Sequence, residues 1–186
     1  MDLSLNISRN TAPHILIVGS KGVGKSTLIS RVVDTLDMPV WGYYTQKESC
    51  QADDKLGEPV YIYEAGKPRI QTTENLVGHC SNQHATPYVE CFNDFAKKHL
   101  QTPPTDALIV MDEIGFMETK AENFRAAIIK LLDGKQLTIA AVKDKDTEFL
   151  KQVRNHPNCK CFYITPENRD ILYKEVMKYL EIINKP

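Results

Sequence analysis

The sequence predicts an α/β protein with a mainly parallel central sheet, helices on both faces and a small antiparallel β insertion. Three observations predict it. Apolar runs of strand length alternate with segments of helical periodicity along most of the 186 residues. The first run passes through a glycine-rich turn straight into a helix. A later run, Ala107-Leu108-Ile109-Val110-Met111, is apolar throughout, as a strand covered on both faces must be, and ends in Asp112-Glu113.

Residues 1–12 are polar and are expected to form a tail into the first strand, Ile15-Leu16-Ile17-Val18. An apolar-periodic helix runs from Leu28 to about Leu36, and Met38-Pro39 breaks it. Residues 40–46, VWGYYTQ, are rich in strand formers, and Val60-Tyr61-Ile62-Tyr63 is a second such run. Residues 47–57 are polar and end in a turn-like Lys55-Leu56-Gly57. Ala65-Gly66-Lys67-Pro68 reads as a hairpin turn with a return strand near 69–72, so about 40–87 is expected to be a strand-rich insertion within one domain, 1–186. Residues 78–87 read as loop. Val89, Phe92, Phe95, Ala96 and Leu100 share a helical face. A helix over about 121–132, a strand over 137–142, a short helix over 147–153 and a strand over 159–164 follow. The last helix opens at Thr165 or Asn168 and carries the core stripe Ile171, Leu172, Val176, Met177, Leu180 and Ile183.

The turn after the first strand spells Gly19-x-x-x-x-Gly24-Lys25-Ser26, a complete P-loop in its required strand-to-helix context. Gly19, Gly22 and Gly24 can take positive φ, which turns successive backbone N–H groups inward as an anion nest. The helix N-terminus behind them favours phosphate. The expected cradle is therefore Gly19, Ser20, Lys21, Gly22, Val23, Gly24, Lys25, Ser26 and Thr27. Lys25 supplies a cation for the β- and γ-phosphates, Ser26 a hydroxyl for Mg²⁺, and Thr27 a contact to the α-phosphate. Asp112 stands at the carboxyl end of a central strand, where ligands gather and an acid can hold Mg²⁺. Glu113, one residue on, is placed to orient or deprotonate an attacking water.

A net charge of −1, with both signs mixed, gives no basic face for nucleic acid. No apolar run nears the roughly 20 residues that span a bilayer. The first residues lack a signal peptide's order. Five cysteines, Cys50, Cys80, Cys91, Cys159 and Cys161, with no Cys-x-x-Cys, point to free thiols in a reducing cytoplasm. His79, Cys80, His84 and Cys91 follow no zinc-finger spacing. There is no Asn-Lys-x-Asp to read guanine; Lys143-Asp144-Lys145-Asp146 lacks the leading Asn.

Asp112–Glu118, DEIGFME, carries a resemblance. The chain resembles the small P-loop nucleoside-triphosphatase family of archaea, bacteria and animals, which includes the cancer-related and thermophilic types. GSKGVGKST, Gly42-Tyr43-Tyr44-Thr45, DEIGFME, Val153-Arg154 and ITPENRDIL at 164–172 match its motifs, and the likeness runs from about Ile15 to Leu172. Lys47-Glu48-Ser49 stands where the family has Glu-Val-Arg. Ser20-Lys21 replaces its usual prolines, Ser26 its usual Thr, and residues 74–87 match poorly. The resemblance implies a P-loop NTPase three-layer fold and Mg²⁺-dependent hydrolysis of ATP, GTP and other nucleoside triphosphates, with broad base tolerance.

In that chemistry Lys25 and Glu113 are catalytic, Ser26 and Asp112 hold the metal, and Arg154 and Arg169 are the in-chain candidates for an arginine finger. The alternatives are a small-molecule kinase, with an acceptor bound by residues 46–87, and a nucleotide-binding adaptor without turnover. Monomer and weak homo-oligomer both stay open.

Overall fold

The structure, a computed structural model, describes residues 12–49, 57–81 and 84–183. Most of the expected tail, Cys50 and Lys55-Leu56 lie outside them. The strands are β1 (His14–Gly19), β2 (Val40–Lys47), β3 (Glu58–Glu64), β4 (Leu76–Cys80), β5 (Ala85–Pro87), β6 (Leu108–Ile114), β7 (Thr138–Lys143) and β8 (Cys159–Tyr163). The helices are α1 (Lys25–Leu36), α2 (Val89–His99), α3 (Glu122–Asp133), α4 (Glu148–Arg154) and α5 (Arg169–Ile183).

All eight strands form one sheet in the order β5-β4-β3-β2-β6-β7-β1-β8. The five from β2 to β8 are mutually parallel. The side chains of the central three, β6, β7 and β1, are buried on both faces; Leu108, Val110 and Met111 have no exposed surface. One face packs Leu16, Met111 and Val142 against Phe92, Phe124, Ile128 and Leu150 of α2, α3 and α4. The other packs Ile15, Ile17 and Val110 against Leu28, Val32, Val176 and Leu180 of α1 and α5. The result is the three-layer architecture expected, and it brings the carboxyl ends of β1, β6 and β7 side by side.

The antiparallel strands β3, β4 and β5 do not form a body beside the sheet but extend it from β2. The return strand expected near 69–72 is absent. Asn75 instead closes a side-chain turn: its Oδ1 accepts from Thr72 N at 2.8 Å and its Nδ2 donates to Ile70 O at 2.9 Å. Those local bonds occupy the backbone groups a strand would use. The partner of β3 is β4, in a segment whose Gly78, His79 and flanking polar residues read as loop.

One further expectation changes: Ile171 is 61% exposed, off the core stripe. Helix α5 begins at Arg169, with Asn168 opening it: Asn168 O accepts from Leu172 N at 2.8 Å, while its side chain faces backward, accepting from Thr165 N and donating to Tyr163 O. A single 3-10 turn, Met117–Lys120, buries Glu118 after β6 and carries no periodicity that would announce it.

Candidate active site

The loop between β1 and α1 closes over its own lysine. Gly22 and Gly24 have φ of 75° and 106°, as an anion nest requires. Gly19 does not share that conformation. It is needed for space: a Cβ there would stand 2.7 Å from Ile164 Cγ2 and 2.9 Å from Val23 Cγ1. Val23 is buried and anchors the loop, whereas Ser20, Lys21, Ser26 and Thr27 face solvent. Lys25 is 4% exposed and donates to Gly19 O at 3.0 Å and Ser20 O at 2.8 Å, within the loop's own carbonyls.

Ser26 Oγ donates to Asp112 Oδ1 at 3.0 Å, so α1 and β6 bring together the two residues assigned to the metal. Burial raises the Asp112 carboxyl to about 6, against the opposing effect of the Ser26 hydroxyl. A buried carboxylate beside a hydroxyl, open to a cavity, is the hard-oxygen donor set that suits Mg²⁺ with phosphate oxygens completing its shell. Thr45 of β2 clamps the same turn, donating to Asp112 O at 3.4 Å and accepting from Glu113 N at 3.1 Å. Among the described residues no group of three His, Cys, Asp or Glu side chains converges on a metal position. His79 instead bonds Tyr88 through Nδ1 at 2.9 Å, and Cys80, Cys91, Cys159 and Cys161 are free thiols.

Glu113 lies between two lysines. Its Oε2 is 3.2 Å from Lys25 Nζ and its Oε1 is 2.7 Å from Lys143 Nζ. Lys143 ends β7 and is the register partner of Gly19, and its ammonium also lies 4.9 Å from the centre of the Phe116 ring. A cavity of about 100 Å³ opens here, lined by Lys21, Thr45, Glu113, Glu118 and Lys143. Glu118 is buried, accepts from Gly115 N at 3.1 Å, and is pushed up to about 7 chiefly by its burial.

The two candidate arginines take different places. Arg169 is exposed and crosses the P-loop: a Cβ on Gly24 would stand 3.6 Å from its Cδ and Nε. Arg154 binds the loop after β7, donating to Lys145 O at 2.9 Å and Lys143 O at 3.4 Å, with Asp146 also 3.4 Å away. Its guanidinium holds the chain that presents Lys143.

Sequence reasoning missed Lys143, Thr45 and Glu118 as parts of this site. Lys143 was legible only as a failed guanine motif. The structure adds a fourth, Arg69, which borders the Ser26–Asp112 side of the site from the segment between β3 and β4.

Comparison with known proteins agrees with this architecture. The family profile described as NTPase matches residues 14–177. Nucleoside-triphosphatase THEP1 of Aquifex aeolicus is 28% identical over 180 residues, covering 90% of this chain and 98% of that protein. The cancer-related nucleoside-triphosphatase homolog of Bos taurus is 28% identical over 190 residues, covering 94% of this chain and 100% of that protein. The crystal structure of the Aquifex THEP1 superposes with a TM-score of 0.67 at 23% identity, over 92% of this chain and 99% of that one. The solution structure of a human cancer-related nucleoside triphosphatase gives 0.64 at 24%, over 94% of this chain and 100% of that one. A glycine-rich loop between β1 and α1, an acid pair facing it and a family match over most of the sequence agree: the chain belongs to the NTPase family.

Proposed function

We propose that this chain, acting as a single domain, hydrolyses nucleoside triphosphates to the diphosphate and phosphate with Mg²⁺ and with broad base tolerance, in the reducing cytoplasm that its free thiols suit. The observation that carries the reading is Glu113, held by Lys25 and Lys143 beside the Ser26–Asp112 pair. A carboxylate fixed there is placed to orient water on the γ-phosphorus, the role phosphoryl transfer to water requires. Relatives named nucleoside-triphosphatases support the same reaction.

In this reading the backbone N–H groups from Gly19 to Thr27 take the phosphates. Lys25 leaves the Gly19 and Ser20 carbonyls for the β- and γ-phosphate oxygens. Glu113 stays on Lys143 and aligns the water, whose oxygen forms the new bond to phosphorus as the bond to the β-phosphate oxygen breaks. Ser26 and Asp112 would hold Mg²⁺, which when bound would neutralise charge on the phosphate oxygens. Arg169, whose side chain lies against Gly24, is a contact to the nucleotide in this reading. Arg154 acts through the loop it holds.

The test is phosphate release from ATP, GTP, CTP and UTP with Mg²⁺, for the wild type and Glu113→Gln. Comparable release from all four, lost in the variant, is the expected result. Nucleotide binding without any release would overturn the reading and turn the search to a phosphoryl acceptor.

A further inference from the structure

Arg69 stands midway along the irregular segment between β3 and β4. The segment is fixed at both ends: Ala65 N donates to Gly42 O at 2.9 Å, and Ile62 N donates to Asn75 O at 2.9 Å. Between these anchors Arg69 turns over β2. Its guanidinium lies 5.2 Å from the centre of the Tyr44 ring and donates to Gln46 Oε1. With Ser26, Thr27, Thr45 and Asp112 it borders an open cavity of about 420 Å³. Its positive charge acts on the Asp112 carboxyl.

Of the other described arginines, three are otherwise engaged and Arg169, which lies over Gly24, does not border this cavity. Arg31 lies over Tyr173 beside Asp170, on the outer face of α1. Arg125 binds Thr119 O and faces the Phe149 ring. Arg154 is held by the loop after β7. Arg169 crosses Gly24 from the opposite flank of the loop. Arg69 alone among the described arginines faces the cavity of Ser26 and Asp112. Its contacts there are a neutral amide and an aromatic face, which a doubly or triply charged phosphate chain outcompetes. A guanidinium forks onto two phosphate oxygens, so its reach is matched to this task.

We propose that Arg69 is the arginine supplied in cis to the triphosphate: it leaves Gln46 and Tyr44 when nucleotide binds and contacts the phosphate oxygens from the Ser26–Asp112 side, stabilising charge as the γ-phosphoryl transfers. The proposal rests on the hydrolysis reading above. It moves the finger role from Arg154 and Arg169 to a residue on the strand-rich extension.

The experiment compares the wild type, Arg69→Ala and Arg69→Lys in steady-state phosphate release from MgATP. It also measures binding of ATP and of ADP with Mg²⁺ and aluminium fluoride, a mimic of the transferring phosphoryl group. Arg69 is exposed, so both variants are expected to fold, and their melting temperatures check it. In Arg69→Ala, kcat is expected to fall by about 10³ or more, as loss of an arginine finger does. ATP affinity is expected to stay within about threefold and the aluminium-fluoride complex to weaken in step with kcat. Arg69→Lys, which keeps the charge but not the fork, is expected to recover only part of the rate. An Arg69→Ala enzyme with unchanged kcat overturns the proposal. So does one that loses affinity for ATP and for the aluminium-fluoride complex equally, because that marks plain nucleotide binding. A wild type that binds ATP and releases no phosphate defeats the hydrolysis reading itself, a result distinguishable from both.

Discussion

Lys143 Nζ lies 2.7 Å from Glu113 Oε1, and the contact follows from strand order. Strand β7 sits between β6, which carries Glu113, and β1, which leads into the P-loop. Any long cationic side chain at the end of β7 therefore arrives beside both. The ladder of β6 with β7 pairs Asp112 with Ala141 and Ile114 with Val142, so it slips by one residue at Glu113. Glu113 leaves the pairing and its carboxylate is free to be held by side chains.

Removing Lys143 is expected to slow the reaction more than it weakens binding. In Lys143→Ala, Glu113 keeps only Lys25, which nucleotide draws away. A misplaced water-orienting group costs about 10- to 100-fold in rate. Lys143→Ala is expected to lose kcat by about that factor with ATP affinity little changed, and Lys143→Arg to recover part of it. Equal kcat in wild type and Lys143→Ala would remove the lysine from the mechanism.

Lys25 and Glu113 are expected to separate by the step each one affects. Lys25→Ala removes a cation from the nest and should weaken triphosphate binding as well as turnover. Glu113→Gln keeps the shape and the Lys143 neighbour but not the carboxylate. Calorimetric titration should show its ATP affinity near wild type while phosphate release falls by about 10² or more.

The parts of this site that were legible in the sequence are those contiguous in it. Gly19 to Thr27 is one loop, and its chemistry is set by residue type and spacing. Asp112 was legible because an apolar run ending in an acid marks a strand's carboxyl end. Lys143 and Arg69 were not, because they reach the site through strand order and through a loop folding over β2, and neither leaves a local pattern. The contacts of Arg154 were illegible for a related reason: its distance in sequence from the P-loop does not reveal that the carbonyls of Lys143 and Lys145 lie beside it. The missed strand β4 has the same origin, since its register with β3 depends on a turn made by the Asn75 side chain.

Gly42 tests how tightly β2 meets β6. Its φ is 123°, and a Cβ there would stand 2.1 Å from Val110 O, backbone that cannot move aside. Gly42→Ala combines conformational strain with overpacking and is expected to cost about 3–5 kcal/mol. The midpoint of urea unfolding reads this directly. A loss under about 1 kcal/mol would show that the two strands part easily.

Tyr43, the next residue, should give the opposite result. Its ring is fully buried, 5.2 Å from Phe124 and 6.4 Å from Phe95 between ring centres. Its hydroxyl has no hydrogen-bond partner among the described residues. Burial, together with the charges of Glu118, Asp112 and Glu113, pushes the phenol well above its usual range. Tyr43→Phe removes an unsatisfied polar group and keeps the ring. It is expected to leave stability unchanged or to raise it by about 1 kcal/mol. A clear destabilisation would mean that the hydroxyl is bonded in solution.

Two buried groups should tilt stability in opposite directions with pH. His14 opens β1, is wholly buried, and its Nε2 lies 2.9 Å from Leu132 O and 3.2 Å from Gly134 O. Burial lowers its pKa from 6.5 to about 4, so the fold favours the neutral ring. The stability this group contributes is complete above about 6.5 and is lost as the pH falls toward 4, by about 3 kcal/mol in all. Glu118 works the other way. Burial raises it from 4.5 to about 7, so its contribution is complete below 4.5 and is lost as the pH rises through 7. The two windows overlap, so between about pH 4.5 and 6.5 the His14 and Glu118 contributions to the urea midpoint largely cancel. The buried Asp112 carboxyl, raised from 3.8 to about 6, adds a decline with rising pH on the Glu118 side. Relative to the wild type, Glu118→Gln should gain stability as the pH rises from about 4.5 to 7, which unmasks the loss that His14 causes toward acid pH. His14→Gln, which keeps a donor for the Leu132 carbonyl, should be less stable than the wild type at pH 8, with the gap closing as the pH falls from about 6.5 toward 4. If both variants show the wild-type pH profile, neither burial governs the stability of the fold.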